Sequence, residues 1–289
     1  MNSEQLFTVT AQGALPLELP QNATSFVDML VGFPLGVYSA LRTFEHNKFL
    51  DLEAHLARTL RSMALLGWDY SFDEERFRRA LHQAVTSYPL ANARVRFDIL
   101  AAPVVRQGTA VQELISLRPF TPVPPAYYIE GVGVDFALQI QRHHPLAKTA
   151  DFAQRREPLL LGQDPAHYEQ LMLSSEGHIL EGMMTNFWAV RGGAVYTAGQ
   201  GVLEGVTRKI LLSLIPTLGI PLHLQAIGCD EVDGLEEAAI SGSSRALLPV
   251  VRINGALVGD GRPGPLSKRI LDAYEDFVAG AIRTAVERE

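Results

Sequence analysis

Lysine is scarce in this chain, which makes each one worth weighing. Of 25 basic residues only four are lysine: Lys48, Lys148, Lys209 and Lys268. Lys48 follows Asn47 in an expected turn, and Lys209 and Lys268 sit beside Arg208 and Arg269 on expected helices, so these three read as solvated. Lys148 differs, because His143-His-Pro-Leu-Ala-Lys-Thr149 is an irregular segment after a strand, with apolar neighbours. Loops held by a scaffold are where function concentrates. A partly desolvated amine in such a loop can form an imine or carry a proton. On position alone, one more surface lysine is the plainer reading.

Other residues have the right chemistry at useful places. Glu181 interrupts the apolar run Ile179-Leu-Glu-Gly-Met-Met-Thr-Asn-Phe-Trp188, either as a functional carboxylate or as a bulge. Leu203-Glu-Gly-Val-Thr-Arg208 opens a helix whose free N–H groups and positive dipole end suit an anion. Ala239-Ile-Ser-Gly-Ser-Ser244 sets hydroxyls around a glycine after a strand, a phosphate cradle or a polar turn. Arg94, Arg96 and Asp98 alternate with Val95, Phe97 and Ile99, giving one strand face that is charged and one that is apolar. The charged face meets either solvent or a substrate carboxylate. His143 and His144 have no third ligand at useful spacing, so no metal site is expected.

The elements that must position these groups are legible in outline. Leu52, Leu56, Thr59, Leu60 and Met63 recur at helical spacing behind Asp51, an N-cap, and Phe77, Leu81, Val85 and Tyr88 repeat the pattern. Val37 to Phe44, Ala93 to Ile99 and Val111 to Leu117 have strand composition. Four prolines between Pro119 and Pro125 read as a semi-rigid linker. Beyond it, Val132 to Phe136 reads as a strand, and Gly192-Gly193 and Asn254-Gly255 as hairpin turns. Helical spacing returns at Ile210 to Leu218 and at Ile270 to Ile282. The expectation is an α+β fold in two domains: a small one over 1–118, a linker over 119–126, and a larger one over 127–289. The larger domain is expected to hold a mainly hairpin-built sheet with flanking helices. No GxGxxG or GxxxxGK[ST] loop occurs, which argues against the nucleotide-binding α/β folds.

Composition narrows the partners. At 289 residues, 47 % hydrophobic and 20 % charged, with a net charge of −7, the chain offers no positive field for nucleic acid or anionic lipid. No apolar run is long enough to span a bilayer. The first ten residues lack a signal-peptide pattern, and Cys229 is the single cysteine, so a reducing cytoplasm is expected.

The order of these groups resembles that of the class IV, or fold-type IV, pyridoxal-phosphate enzymes: a lysine, a carboxylate, a Gly-Val-Thr helix start, then a Ser-Gly-Ser-Ser turn. This family includes branched-chain and D-amino-acid aminotransferases and aminodeoxychorismate lyase. The resemblance runs from about Gly36 to about Tyr274 and is most specific in Glu181-Gly-x-x-x-Asn186-Phe187 and Leu203-x-Gly-Val-Thr-Arg208. Gly36-Val-Tyr-Ser-Ala-Leu-Arg42 and His55-Leu-Ala-Arg58 match early family motifs less tightly.

The resemblance implies roles for these residues. Lys148 would form the aldimine with pyridoxal 5′-phosphate and then carry the substrate proton. Glu181 would face the pyridine nitrogen, Asn186 would be a further cofactor contact, and Leu203 would pack on the ring. Arg58, the backbone of Val206 and Thr207, and Ser243 with Ser244 would bind the phosphate. Tyr38 and Arg96 fall near family substrate positions. A homodimer is implied, with amino and 2-oxo acids as partners. The leading activity is transamination, the alternative a lyase of the aminodeoxychorismate type, and the third reading a non-catalytic binder. Tyr38-Ser-Ala-Leu-Arg42 departs from the usual branched-chain motif, and Ala153 stands where many relatives have a tyrosine, which leaves the substrate open.

Overall fold

The computed structural model describes residues 4–162 and 167–284. Contacts divide the chain into two compact units. One runs to Thr121 and takes in Ala147–Glu157 and the chain from Ala281; the other comprises Pro122–Leu146 and Pro158–Gly280.

The first unit is built on β1 (Gln5–Thr10), β2 (Gly13–Leu17), α1 (Phe26–Met29), β3 (Gly36–Phe44), β4 (Lys48–Phe49), α2 (Leu52–Leu65), α3 (Glu74–Thr86), β5 (Ala93–Arg106) and β6 (Thr109–Pro119). Its strands pair antiparallel in the order β2-β1-β6-β5-β3-β4. Alternation along β5 decides what each face does. Val95 and Phe97 join Leu56 of α2 and Phe77, Leu81 and Val85 of α3 in one buried cluster. Arg96 and Asp98 point the other way, opposite Ala40 and Tyr38 of β3 in the antiparallel register, and residues directly opposite share a face. The Asp51 carboxylate caps α2 by accepting from the Ala54 N–H at 3.2 Å, as its position in the sequence predicts.

The second unit follows with α4 (Pro125–Glu130), β7 (Val132–Ala137), α5 (Ala150–Leu161), β8 (His167–Leu173), β9 (His178–Gly182), β10 (Asn186–Arg191), β11 (Ala194–Tyr196), α6 (Val206–Thr217), β12 (Leu222–His223), β13 (Ile227–Gly228), β14 (Glu237–Gly242), β15 (Ala246–Ile253), β16 (Ala256–Leu257) and α7 (Pro265–Thr284). Of these, Ala150–Glu157, the greater part of α5, and the end of α7 from Ala281 belong to the first unit. Both expected hairpins form. Gly192 and Gly193 turn β10 into β11 with φ of +58° and +70°, and Asn254 and Gly255 turn β15 into β16 with φ of +49° and +85°. The sheet is less hairpin-built than its turn signals suggest. Its centre is β15-β7-β8, paired parallel, with the antiparallel hairpins on either side. Parallel neighbours are joined by long crossovers that leave no two-residue turn to read. Val134, Leu171, Phe187, Ile240 and Leu248 bury one face of the sheet, while Trp188, Ala239 and Leu247 meet Ile215 of α6 and Ile270 of α7 on the other.

Candidate active site

In the first unit, Lys148 is held by its backbone from two sides. Its N–H donates to Ser62 Oγ of α2 at 3.1 Å, and its carbonyl accepts from the Tyr38 N–H of β3 at 2.9 Å. The next residue, Thr149, forms a bridge with Val37. This irregular segment is therefore placed as firmly as a strand, and the half-buried Lys148 side chain sets its Nζ 4.7 Å from the centre of the Tyr38 ring. Ser62 was not singled out by sequence. It lies one turn beyond Arg58 on the same helix, and its hydroxyl also donates to the Arg58 carbonyl at 2.8 Å. The other lysines differ. Lys209 and Lys268 are exposed, and Lys48 is partly covered and paired with Glu45.

Arg58 is buried on α2. Its Nη2 donates to Ser39 Oγ at 2.6 Å, and Ser39 Oγ stands 2.9 Å from His55 Nδ1. With the Ser39 oxygen accepting from the guanidinium, its hydroxyl proton is directed to Nδ1, which assigns the ring proton to Nε2. Burial, then the charges of Arg58 and Lys148, hold the His55 pKa well below its ordinary value, so the ring is neutral.

Tyr38 is 3 % exposed and is packed by cations. The Arg96 guanidinium lies 4.1 Å from its ring centre, and its hydroxyl accepts from Arg156 Nη2 of α5 at 3.2 Å. Arg96 itself donates to Asp98 through Nε at 2.8 Å and Nη2 at 2.6 Å, a bidentate pair buried on both sides. Burial raises the Asp98 pKa, and the Arg96 guanidinium opposes the rise. At Arg96 and Asp98 the charged face of β5 is thus enclosed, while Arg94 is partly exposed. Ala153, which stands where many relatives have a tyrosine, packs with Ala150 against Tyr38.

In the second unit, Glu181 is 2 % exposed. Its Oε1 accepts from Arg142 Nε at 2.7 Å and from the Leu203 N–H at 3.2 Å, and its Oε2 from Asn186 Nδ2 at 3.1 Å. The same Asn186 amide donates to the Leu203 carbonyl at 2.8 Å, tying the carboxylate to the loop that opens α6. Gly205 begins that helix with no side-chain cap, leaving the Val206 and Thr207 amides in its first turn. A Cβ on Gly205 would stand 2.3 Å from Asn186 Oδ1, which explains the glycine. Ser243 and Ser244 sit half-buried in the turn between β14 and β15, closed by the Arg245 N–H donating to the Gly242 carbonyl at 3.0 Å. Arg142 was missed. Arginines are common here and its segment is irregular, so nothing in the sequence set it apart. His143 and His144 are exposed, and no cluster able to hold a metal occurs among the described residues.

The structure thus brings together Lys148, Arg58, Tyr38 and Arg96 within one unit, and Glu181, Asn186, Leu203 and the start of α6 within the other. The residues present fit a phosphorylated pyridine aldehyde: an amine to bond it, a buried carboxylate beside an amide, and a helix start without a side-chain cap for an anion.

The family model for amino-transferase class IV matches residues 36–253. The chain belongs to the class IV aminotransferases. It is 32 % identical over 277 residues to a branched-chain-amino-acid aminotransferase of Pseudomonas aeruginosa, covering 88 % of each chain. It is 23 % identical to a D-alanine aminotransferase of Bacillus licheniformis, over 91 % of this chain and 94 % of that one. Its fold matches the branched-chain aminotransferase of the thermophilic archaeon Thermoproteus uzoniensis solved with norvaline, at a TM-score of 0.75 and 22 % identity over 96 % of this chain and 95 % of that one. The protein is an enzyme and an aminotransferase with the fold-type IV architecture; the lyase and the non-catalytic binder are not favoured. Class IV aminotransferases depend on pyridoxal phosphate. No helix among the described residues is long and apolar enough to cross a membrane.

Proposed function

We propose that this aminotransferase uses pyridoxal 5′-phosphate, bound covalently through Lys148, to move an amino group between an amino acid and a 2-oxo acid. The observation that carries the reading is the Lys148 backbone, fixed between Ser62 and Tyr38 so that a loop amine has a defined position. When bound, pyridoxal phosphate supplies an aldehyde that takes up the amino group and a ring that withdraws electrons from the substrate Cα.

Lys148 Nζ would hold the cofactor and would be the base that takes the proton from the substrate Cα and gives it back. Glu181 holds a proton at the ring nitrogen, and Asn186 and Arg142 orient that carboxylate. Leu203 packs on the ring. Arg58, Ser243, Ser244 and the amides of Val206 and Thr207 bind the phosphate. Tyr38 and Arg96 line the substrate side.

We place the enzyme in the cytoplasm as a homodimer, since two-fold dimers are the commonest closed assembly. The test of function is a screen of amino donors, both enantiomers, against 2-oxo acids. Amino transfer that stops when either partner is omitted supports the reading; release of pyruvate from an aminodeoxychorismate without any 2-oxo acid would replace it with the lyase.

A further inference from the structure

Four polar side chains lie buried along one stripe of α2: His55, Arg58, Thr59 and Ser62. Their spacing, i, i+3, i+4 and i+7, is that of the face an amphipathic helix ordinarily fills with apolar residues. Burying such groups is costly unless they are hydrogen-bonded. Thr59 Oγ1 donates to the His55 carbonyl at 3.0 Å and Ser62 Oγ to the Arg58 carbonyl at 2.8 Å, while the Ser62 oxygen accepts from the Lys148 N–H at 3.1 Å. One stripe thus carries Arg58 and supports the backbone of Lys148.

Within it, His55 and Ser39 of β3 close a triangle with Arg58. Arg58 Nη2 stands 2.6 Å from Ser39 Oγ and 3.4 Å from His55 Nδ1, and Ser39 Oγ lies 2.9 Å from the same ring nitrogen. The three residues are 5 %, 0 % and 1 % exposed for Arg58, Ser39 and His55. A neutral ring protonated at Nε2 offers Nδ1 as an acceptor to both the Ser39 hydroxyl and the guanidinium. Holding one nitrogen of a rigid planar fork sets the plane of the whole group. Ser39 and His55 are uncharged, so they orient the cation without neutralising it. A carboxylate in place of His55 would orient it too, but would compete with any anion that Arg58 is to bind.

We propose that His55, acting through Ser39, is a positioning residue for Arg58: the pair presents the guanidinium to the phosphate of the bound cofactor with its charge intact. The inference rests on the reading that Arg58 binds that phosphate.

The experiment measures dissociation constants for pyridoxal phosphate and for pyridoxal, which lacks the phosphate, by fluorescence titration of the full chain. His55→Leu removes the acceptor and should weaken pyridoxal phosphate by about tenfold or more, the scale of one hydrogen bond to a charged group. Pyridoxal affinity should stay within about threefold of wild type. His55→Asn sets an amide oxygen near the place of Nδ1 and should recover pyridoxal phosphate affinity to within about threefold. Ser39→Ala cuts the same contact from the strand side, and covers the case in which His55→Leu fails to fold. It should weaken pyridoxal phosphate by a similar factor, and the double variant should lose little more than either single one.

Folded His55→Leu or Ser39→Ala protein with wild-type affinity for pyridoxal phosphate would overturn this inference alone. So would an equal loss for pyridoxal, which would make the role one of packing, or a His55→Asn protein as weak as His55→Leu. Arg58→Met that binds pyridoxal phosphate as tightly as wild type would instead overturn the reading of Arg58 beneath it.

Discussion

Arg58 and Lys148 place two positive charges near one buried imidazole, and that arrangement has a measurable cost in acid. Folding holds the His55 pKa well below the 6.5 it has in an unfolded chain. As pH falls, the unfolded chain therefore takes the proton first, and stability is lost from about pH 6.5 downward until the folded ring protonates too. The slope from this group reaches about 1.4 kcal/mol per pH unit. Urea unfolding at pH 7.5, 6 and 5 should show a steeper loss for the wild type than for His55→Gln; parallel losses would contradict the burial of a neutral ring. Glu181 gives a second test at the same scale. In its proposed role Glu181 faces the ring nitrogen, so exchange to Gln, which keeps the shape but removes the charge, should slow Cα deprotonation by about two to four decades in single-turnover measurements. A Glu181→Gln rate equal to wild type would remove Glu181 from that role.

At the level of elements, the start of α6 couples to the carboxylate through Asn186, which bonds both Glu181 and the Leu203 carbonyl. Gly205→Ala is compatible with its φ of −64° and ψ of 143°, yet its Cβ would meet Asn186 Oδ1. The variant should therefore keep most of its thermal stability while losing about tenfold or more in cofactor affinity, through a displaced Asn186. Unchanged affinity in a fluorescence titration would show that Asn186 relaxes freely. Much of this framework was legible in the sequence, because helical spacing, the Asp51 cap and the Gly192-Gly193 and Asn254-Gly255 turns are local signals. What escaped was non-local. The strands β1 and β2 are short and weakly patterned, α5 carries Pro158 and a mixed surface, and β15-β7-β8 pair across long crossovers. Within the site, Lys148 and Glu181 stood out by type and setting. Ser62, Arg142, Arg156 and the engagement of Arg96 by Asp98 depend on which elements meet, which no spacing along one strand or helix records.

For the whole molecule, light scattering coupled to gel filtration should report a homodimer, with activity falling on dilution below the dimer's dissociation constant. A monomer fully active across the assay range would contradict it. Of the four lysines, Lys148 alone is proposed to bond the cofactor. Purified protein loaded with pyridoxal phosphate should be yellow, and borohydride should bleach it and fix a pyridoxyl group that peptide mass spectrometry finds on Lys148. Lys148→Ala should carry no such label and show no turnover. A chain that takes up no pyridoxal phosphate, or a label on Lys48, Lys209 or Lys268 with Lys148 unmodified, would contradict this role for Lys148.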